Sequence, residues 1–217
     1  MDATVTSILH KSQEELEMLA RKKVKHLYLG IESGLDDVLK FMKKDHDLAQ
    51  AYQAIDRLHG AGLIYDAHIM TGVAGKGRGM ENAEALAQFL NRTNPAHVVN
   101  FSMFLHKEVP LYQDIRQGTF VPADELETIR EEYHLIERIA PEKAGANILY
   151  DGFHDFIHVR VRGHLPGDKE KMLAKLNGII QEYEGKEPVY SFVQGECPDL
   201  EYCDDGKAVW DMDRKTS

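Results

Sequence analysis

Between residues 12 and 105 the apolar positions switch repeatedly from helical to strand spacing, and each switch falls at a cap, a glycine or a proline. Ser12 and Glu15 form a capping box before a helix carrying Leu16 and Leu19, which leads into a strand over 24–29. Ser33 with Asp36 is expected to cap a short helix through Val38, Leu39 and Met42. Asp47 with Gln50 opens a longer one with Leu48, Ala51, Tyr52, Ile55 and Leu58 on one face, ended by Gly60 and Gly62. A strand over 63–70, a glycine-dense loop over 72–79 and a helix over 81–91 burying Leu86, Phe89 and Leu90 follow. Pro95 then breaks the chain before a strand over 98–105.

Helices alternating with strands predict an α/β fold in which parallel strands are joined by right-handed crossovers. Three strands are too few for a closed barrel, so this region reads as part of a sheet. A short helix over 110–117 and an amphipathic helix over 123–140 come next, the latter with Leu126, Ile129, Tyr133 and Ile136 facing inward. From Ala144 the pattern changes to β-prone segments over 148–150 and 157–161. A helix over 168–183 then carries Met172, Leu173, Leu176, Ile179 and Ile180. Two regions are therefore expected, 1–143 and a C-terminal extension, 144–217, with β segments, one helix and an acidic tail.

With 43% hydrophobic and 29% charged residues the chain has the balance of a globular protein. No run of roughly eighteen apolar residues is present, and neither a membrane span nor a secretory leader is visible, so a cytoplasmic location and no membrane partner are expected. A net charge of −10 disfavours nonspecific nucleic-acid binding, which rests on neutralising phosphates. Cys197 and Cys203 match no zinc or redox spacing and are read as reduced thiols; two cysteines do not hold a four-iron cluster alone.

Residues 27–34, Leu-Tyr-Leu-Gly-Ile-Glu-Ser-Gly, end an apolar run with one acid at a strand tip, where parallel α/β folds present ligand-binding groups. This stretch, followed by Asp37-Val-Leu-Lys-Phe-Met-Lys-Lys44, resembles the fourth-strand region of radical S-adenosylmethionine proteins, in the group of coproporphyrinogen oxidase-like and Elp3-like members. The likeness continues through Ala61-Gly-Leu63, Ile69-Met-Thr-Gly-Val73, Val109-Pro-Leu-Tyr112 and Arg162-Gly-His-Leu-Pro-Gly-Asp-Lys-Glu-Lys-Met-Leu173, covering about residues 1–180. The family's Cys-x-x-x-Cys-x-x-Cys cluster loop has no counterpart here, and residues 1–5 read like the end of a third strand. The chain is thus expected to be the C-terminal half of a partial (β/α)6 barrel.

The resemblance implies an iron–sulfur oxidoreductase that, joined to its cluster-binding half, cleaves S-adenosylmethionine to a 5′-deoxyadenosyl radical. It places Glu32 and Ser33 against the cofactor, Lys43 or Lys44 at its carboxylate, residues 69–72 with Gly72 along the ribose and adenine, and the backbone of Phe104 and Leu105 at the adenine edge. A [4Fe–4S] cluster is expected only in the full-length protein, and the substrate is an unspecified small molecule. Glu32 also suits a simple helix cap, and Lys43 and Lys44 a helix C-terminus. Lys76 and Arg78 in the glycine loop are candidate anion contacts, as a sugar-phosphate barrel enzyme would need. His154 and His158, near Asp151 and Asp155, have metal-ligand spacing but are read as polar surface or core residues. His68 is expected to be a satisfied core or barrel-lining histidine rather than a ligand. The competing reading is a noncatalytic α/β binding or assembly module. In a half barrel the edge of the strand over 24–29 is expected to promote self-association.

Overall fold

The computed structural model describes residues 1–192. In chain order the elements are β1 (Asp2–Ala3), α1 (Val5–Leu9), α2 (Gln13–Arg21), β2 (His26–Glu32), α3 (Asp36–Phe41), α4 (Leu48–Gly60) and β3 (Ile64–Thr71). Then come α5 (Gly79–Thr93), β4 (His97–Ser102), α6 (Pro110–Gln117), α7 (Glu125–Arg138), β5 (Ile148–His154), a 3₁₀ turn (Asp155–Ile157), β6 (Val159–Leu165) and α8 (Lys169–Tyr183). The strands form one sheet in the order β1 to β6, open at both ends. Strands β1 to β5 pair in parallel, and β6 runs antiparallel on β5.

Local chemistry explains most boundaries. The two capping boxes expected from sequence both form, at Ser12 with Glu15 and at Asp47 with Gln50, so α2 and α4 begin where their first free N–H groups find partners. The third expected cap does not form. α3 starts after Leu35 with no side-chain cap; the Ser33 hydroxyl instead accepts from the Leu35 N–H at 3.1 Å and donates to Asn82 Oδ1 at 2.6 Å. Asn94, at φ 48°, and Gly118, at φ 72°, turn the chain out of α5 and α6.

Period-two burial sorts the sheet into two faces. Leu27, Leu29 and Ile31 of β2, with Tyr65, Ala67 and Ile69 of β3, are buried under the helices and form the main core with Leu58, Phe89, Ile129 and Tyr150. The other face carries a row of rings. Tyr28 and His68 lie 5.0 Å apart, His68 and Phe101 5.8 Å, and Phe101 stacks on Phe153 at 5.9 Å. His68 thus stands half-buried on the ring-bearing face of the sheet. Phe101 is 37% exposed there.

Two expectations change. The sheet edge is β1, not β2, since Asp2 and Ala3 pair with Tyr28 and Leu29. The inner face of α7 is broader than the expected stripe. Leu126 and Tyr133 are half-buried, whereas Glu125, Thr128, Glu131, Glu132 and Leu135 are buried with Ile129 and Ile136. That helix packs against both α5 and α8 while lying near the sheet, so it buries more than one side. Among the described residues, no helix is long and apolar enough to cross a membrane.

Candidate functional site

The C-terminal tips of β2 and β3 lie side by side and carry the strongest cluster of predicted residues. The pairing register slips between Gly30 and Glu32, and Glu32 adopts φ 62°, a left-handed conformation that costs about 1 kcal/mol or more for a residue with a side chain. Bulges of this kind re-aim a side chain at a strand end. Here the Glu32 carboxylate meets Lys44, with Oε1 3.1 Å from Nζ, and both side chains are about a quarter exposed. Gly30 makes room for the pair: a Cβ there would sit 2.9 Å from Glu32 Oε1 and 3.4 Å from Lys44 Nζ.

Behind this pair runs a buried hydrogen-bonded chain. The Ser33 hydroxyl (2.6 Å) and the Gly34 N–H (3.1 Å) both donate to Asn82 Oδ1. Asn82 Nδ2 donates to Glu131 Oε1 at 2.7 Å, and the Gly72 N–H donates to Glu131 Oε2 at 2.8 Å. One glutamate of α7, through one asparagine of α5, therefore ties the turn after β2 to the turn after β3. The close approach requires glycine at two points. Gly34 lies so near the backbone of Ala85 and Leu86 that any Cβ would collide, and Gly72 turns with φ 83°. Burial pushes the Glu131 carboxyl up to about 8, only partly offset by the hydrogen bonds from Asn82 and Gly72.

A second buried cluster lies one residue further along α7. His154, at the end of β5, reaches Glu125 (Nδ1 to Oε2, 3.1 Å) and Glu132 (Nε2 to Oε2, 3.0 Å), all three side chains being essentially inaccessible. Burial works against the imidazolium, but Glu132 and hydrogen bonding to both carboxylates outweigh it and raise His154 to about 10. Tyr150 and Asn100 also donate to Glu132, at 2.9 and 3.1 Å, and the hydroxyls of Ser102 and Ser191 donate to Glu125. Asn100 Oδ1 accepts the Thr71 N–H at 3.1 Å, which joins this cluster to the tip of β3.

The remaining predicted residues separate from this centre or change role. Lys43 is exposed at φ 56° just past α3, so of the two lysines Lys44 is the one beside Glu32. Leu105 is packed with Tyr112, Ile115, Phe120 and Phe192, and its N–H already donates to Ser191 O at 2.6 Å. Arg78 is not a free anion contact, since it is held by Asp37 at 2.7 Å and Glu81 at 2.9 Å; Lys76 is exposed on the same loop. His154 is in the core and His158 is exposed, with a 3₁₀ turn between them. Cys197 and Cys203 lie outside the described residues. Sequence reasoning missed Asn82, Asn100, Glu125, Glu131 and Glu132. One signal was available: Glu125 and Glu132 recur at the seven-residue interval of the apolar stripe that holds Ile129 and Ile136.

The arrangement suits a zwitterionic small molecule. Glu32 can accept from an ammonium and Lys44 can donate to a carboxylate. A cubane cluster does not fit. The sequence lacks the three-cysteine loop, and among the described residues no group of three or more His, Cys, Asp or Glu side chains is placed to hold a metal ion.

Comparison with known proteins bears on these tips directly. Residues 2–90 match the family model described as the Radical SAM superfamily. Among solved structures, the archaeal Methanocaldococcus infernus Elp3 with an N-terminal deletion (1–46) superposes with a TM-score of 0.60 at 17% identity, covering 83% of this chain. At that identity the likeness is one of fold, and the match spans 41% of the other chain's length. No curated protein matches.

Proposed function

Because residues 2–90 match the family model described as the Radical SAM superfamily, we propose that this chain supplies S-adenosylmethionine-holding strand tips to a radical enzyme of the iron–sulfur oxidoreductase kind. The observation that carries the proposal is the Glu32–Lys44 pair standing beside the Gly72 turn, with both turns fixed from behind by Ser33, Asn82 and Glu131. S-adenosylmethionine would bring a sulfonium to these strand tips, and its reductive cleavage would need a [4Fe–4S] cluster that the described residues do not hold. Glu32 takes the ammonium of the methionyl end and Lys44 its carboxylate, so ligand entry exchanges one protein–protein ion pair for two protein–ligand ones. The edge at residues 69–72 borders the ribose and adenine. Ser33 acts from behind, by holding the turn that fixes Glu32. The cluster ligands belong to sequence other than the described residues, and no reductive step is assigned to this chain's side chains.

Isothermal titration of the 217-residue chain with S-adenosylmethionine tests this reading. Saturable binding is expected, weakened about tenfold or more by Glu32→Gln and by Lys44→Gln, roughly 1.4 kcal/mol each, and unchanged by Lys43→Gln. No binding by the wild-type chain at millimolar ligand would overturn it and favour the noncatalytic α/β module, which the missing cysteine loop otherwise supports.

A further inference from the structure

At the opposite end of the sheet from Glu32 and Gly72 lies a cavity of about 700 Å³, a size that accepts a small metabolite. It opens among the N-terminal ends of β3 and β4, the segment leading into β5, and the C-terminal ends of α4 and α5. Its charge is unlike that of the rest of the molecule. The chain carries −10, yet the lining contains His59, Arg92 and Lys143 and no aspartate or glutamate.

Positive side chains at helix C-termini ordinarily serve the helix's own unpaired carbonyls. Here those carbonyls are already occupied. At the end of α4, the carbonyls of Arg57, Leu58 and His59 accept from the N–H groups of Ala61, Leu63 and Gly62. At the end of α5, Phe89 O accepts from the Thr93 hydroxyl, Leu90 O from the Asn94 N–H and Asn91 O from the Glu142 N–H. Among the described residues none of the three basic side chains enters an ion pair; Arg92 lies 4.3 Å over the Tyr52 ring, which leaves its N–H edge available. Burial holds the His59 imidazole below its usual range; Asp56 opposes that shift and Lys143 adds to it.

Among the lining residues, the Tyr65 hydroxyl is a donor without a protein partner, on a side chain only 1% exposed that packs in the main core. Asn147, beside Lys143 and the positive-φ Gly145, contributes an amide.

We propose that this cavity binds the phosphate group of a small phosphorylated metabolite. Two permanent cations, a titratable imidazole and the Asn147 amide around one concavity suit a tetrahedral dianion, whose oxygens accept from several directions at once. A planar carboxylate would leave part of that donor set unused. The site is independent of the strand-tip reading: it involves the other end of the sheet and shares no residue with it.

Amide-resolved NMR titration of the full chain tests the proposal, using inorganic phosphate and ribose 5-phosphate as probes, with ribose alone and with chloride at matched ionic strength as controls. Both phosphates are expected to shift the amides of residues 92–94, 96 and 143–147 and leave Gly72 unmoved. Lys143→Gln, a change at an exposed side chain that keeps the fold intact, is expected to weaken binding three- to tenfold, and the double change with Arg92→Gln by more than tenfold. Shifts that chloride reproduces, shifts scattered over the surface, or an affinity that survives both substitutions would overturn it.

Discussion

Glu131 and Glu132 are consecutive residues of α7, both buried, and the fold accommodates them in opposite ways. Glu132 receives a charged partner, His154, together with Tyr150 and Asn100. Glu131 receives only neutral donors, the Asn82 amide and the Gly72 N–H, and burial drives its carboxyl to about 8. One residue along a helix is a rotation of about 100°, enough to turn one carboxylate toward the β2 and β3 tips and the next toward β4 and β5. A buried acid is thus kept either by a cation or by keeping its proton, and the two solutions respond differently to mutation and pH.

The strongest way to break the contrast is His154→Leu. It strands Glu125 and Glu132 without their imidazolium, and a loss of about 3–5 kcal/mol, or failure to fold, is expected in denaturant unfolding. Glu131→Gln should be milder, about 1–3 kcal/mol, because one donor of the Gly72–Asn82 pair loses its acceptor but no charge is orphaned. Near-equal losses would show that Glu131 is held as a charge after all.

The pH dependence sharpens the same comparison. Both groups have folded-state values raised above their ordinary ones, so both contribute stability at low pH that is lost on alkalinisation. The Glu131 contribution should fade from about pH 4.5 to 8, and that of His154 from about pH 6.5 to 10. Melting temperature should therefore fall as pH rises through the neutral range, and Glu131→Gln should remove the earlier part of the fall and leave the later part. A slope unchanged in that variant would rule out a protonated Glu131.

Asn82→Ala should cost about 1–3 kcal/mol, by leaving the Ser33 and Gly34 donors unpaired, and should also weaken S-adenosylmethionine binding several-fold without touching the ligand. The smallest effect is expected at the surface: Arg78→Ala breaks pairs with Asp37 and Glu81 that are exposed, and a change under about 1 kcal/mol in the same unfolding assay is expected.

How much of this was legible beforehand differs between elements. The bounds of α6, 110–117, can be read from Pro110 and Gly118, and the capping boxes of α2 and α4 from four side chains, since the groups that start and stop these helices are close in sequence. The cap assigned to Ser33 did not form: its hydroxyl accepts from the Leu35 N–H two residues on and is anchored to Asn82, 49 residues away. Glu32 could be singled out from its place at a strand tip, but its slipped register and its choice of Lys44 over Lys43 depend on how α3 packs. The acids of α7 look like solvated charges in an amphipathic pattern, and only their partners reveal otherwise.

The sequence by itself determined the α/β alternation, the parallel order and the acid-bearing tip of β2, because periodicity, caps and glycines act over a few residues. Tertiary structure alone decided which carboxylates are buried, which of them acquires a cation, and where a basic cavity forms. Those outcomes depend on residues tens of positions apart in sequence meeting in space, where the energy of a charge is set by its neighbours rather than by its place in the chain.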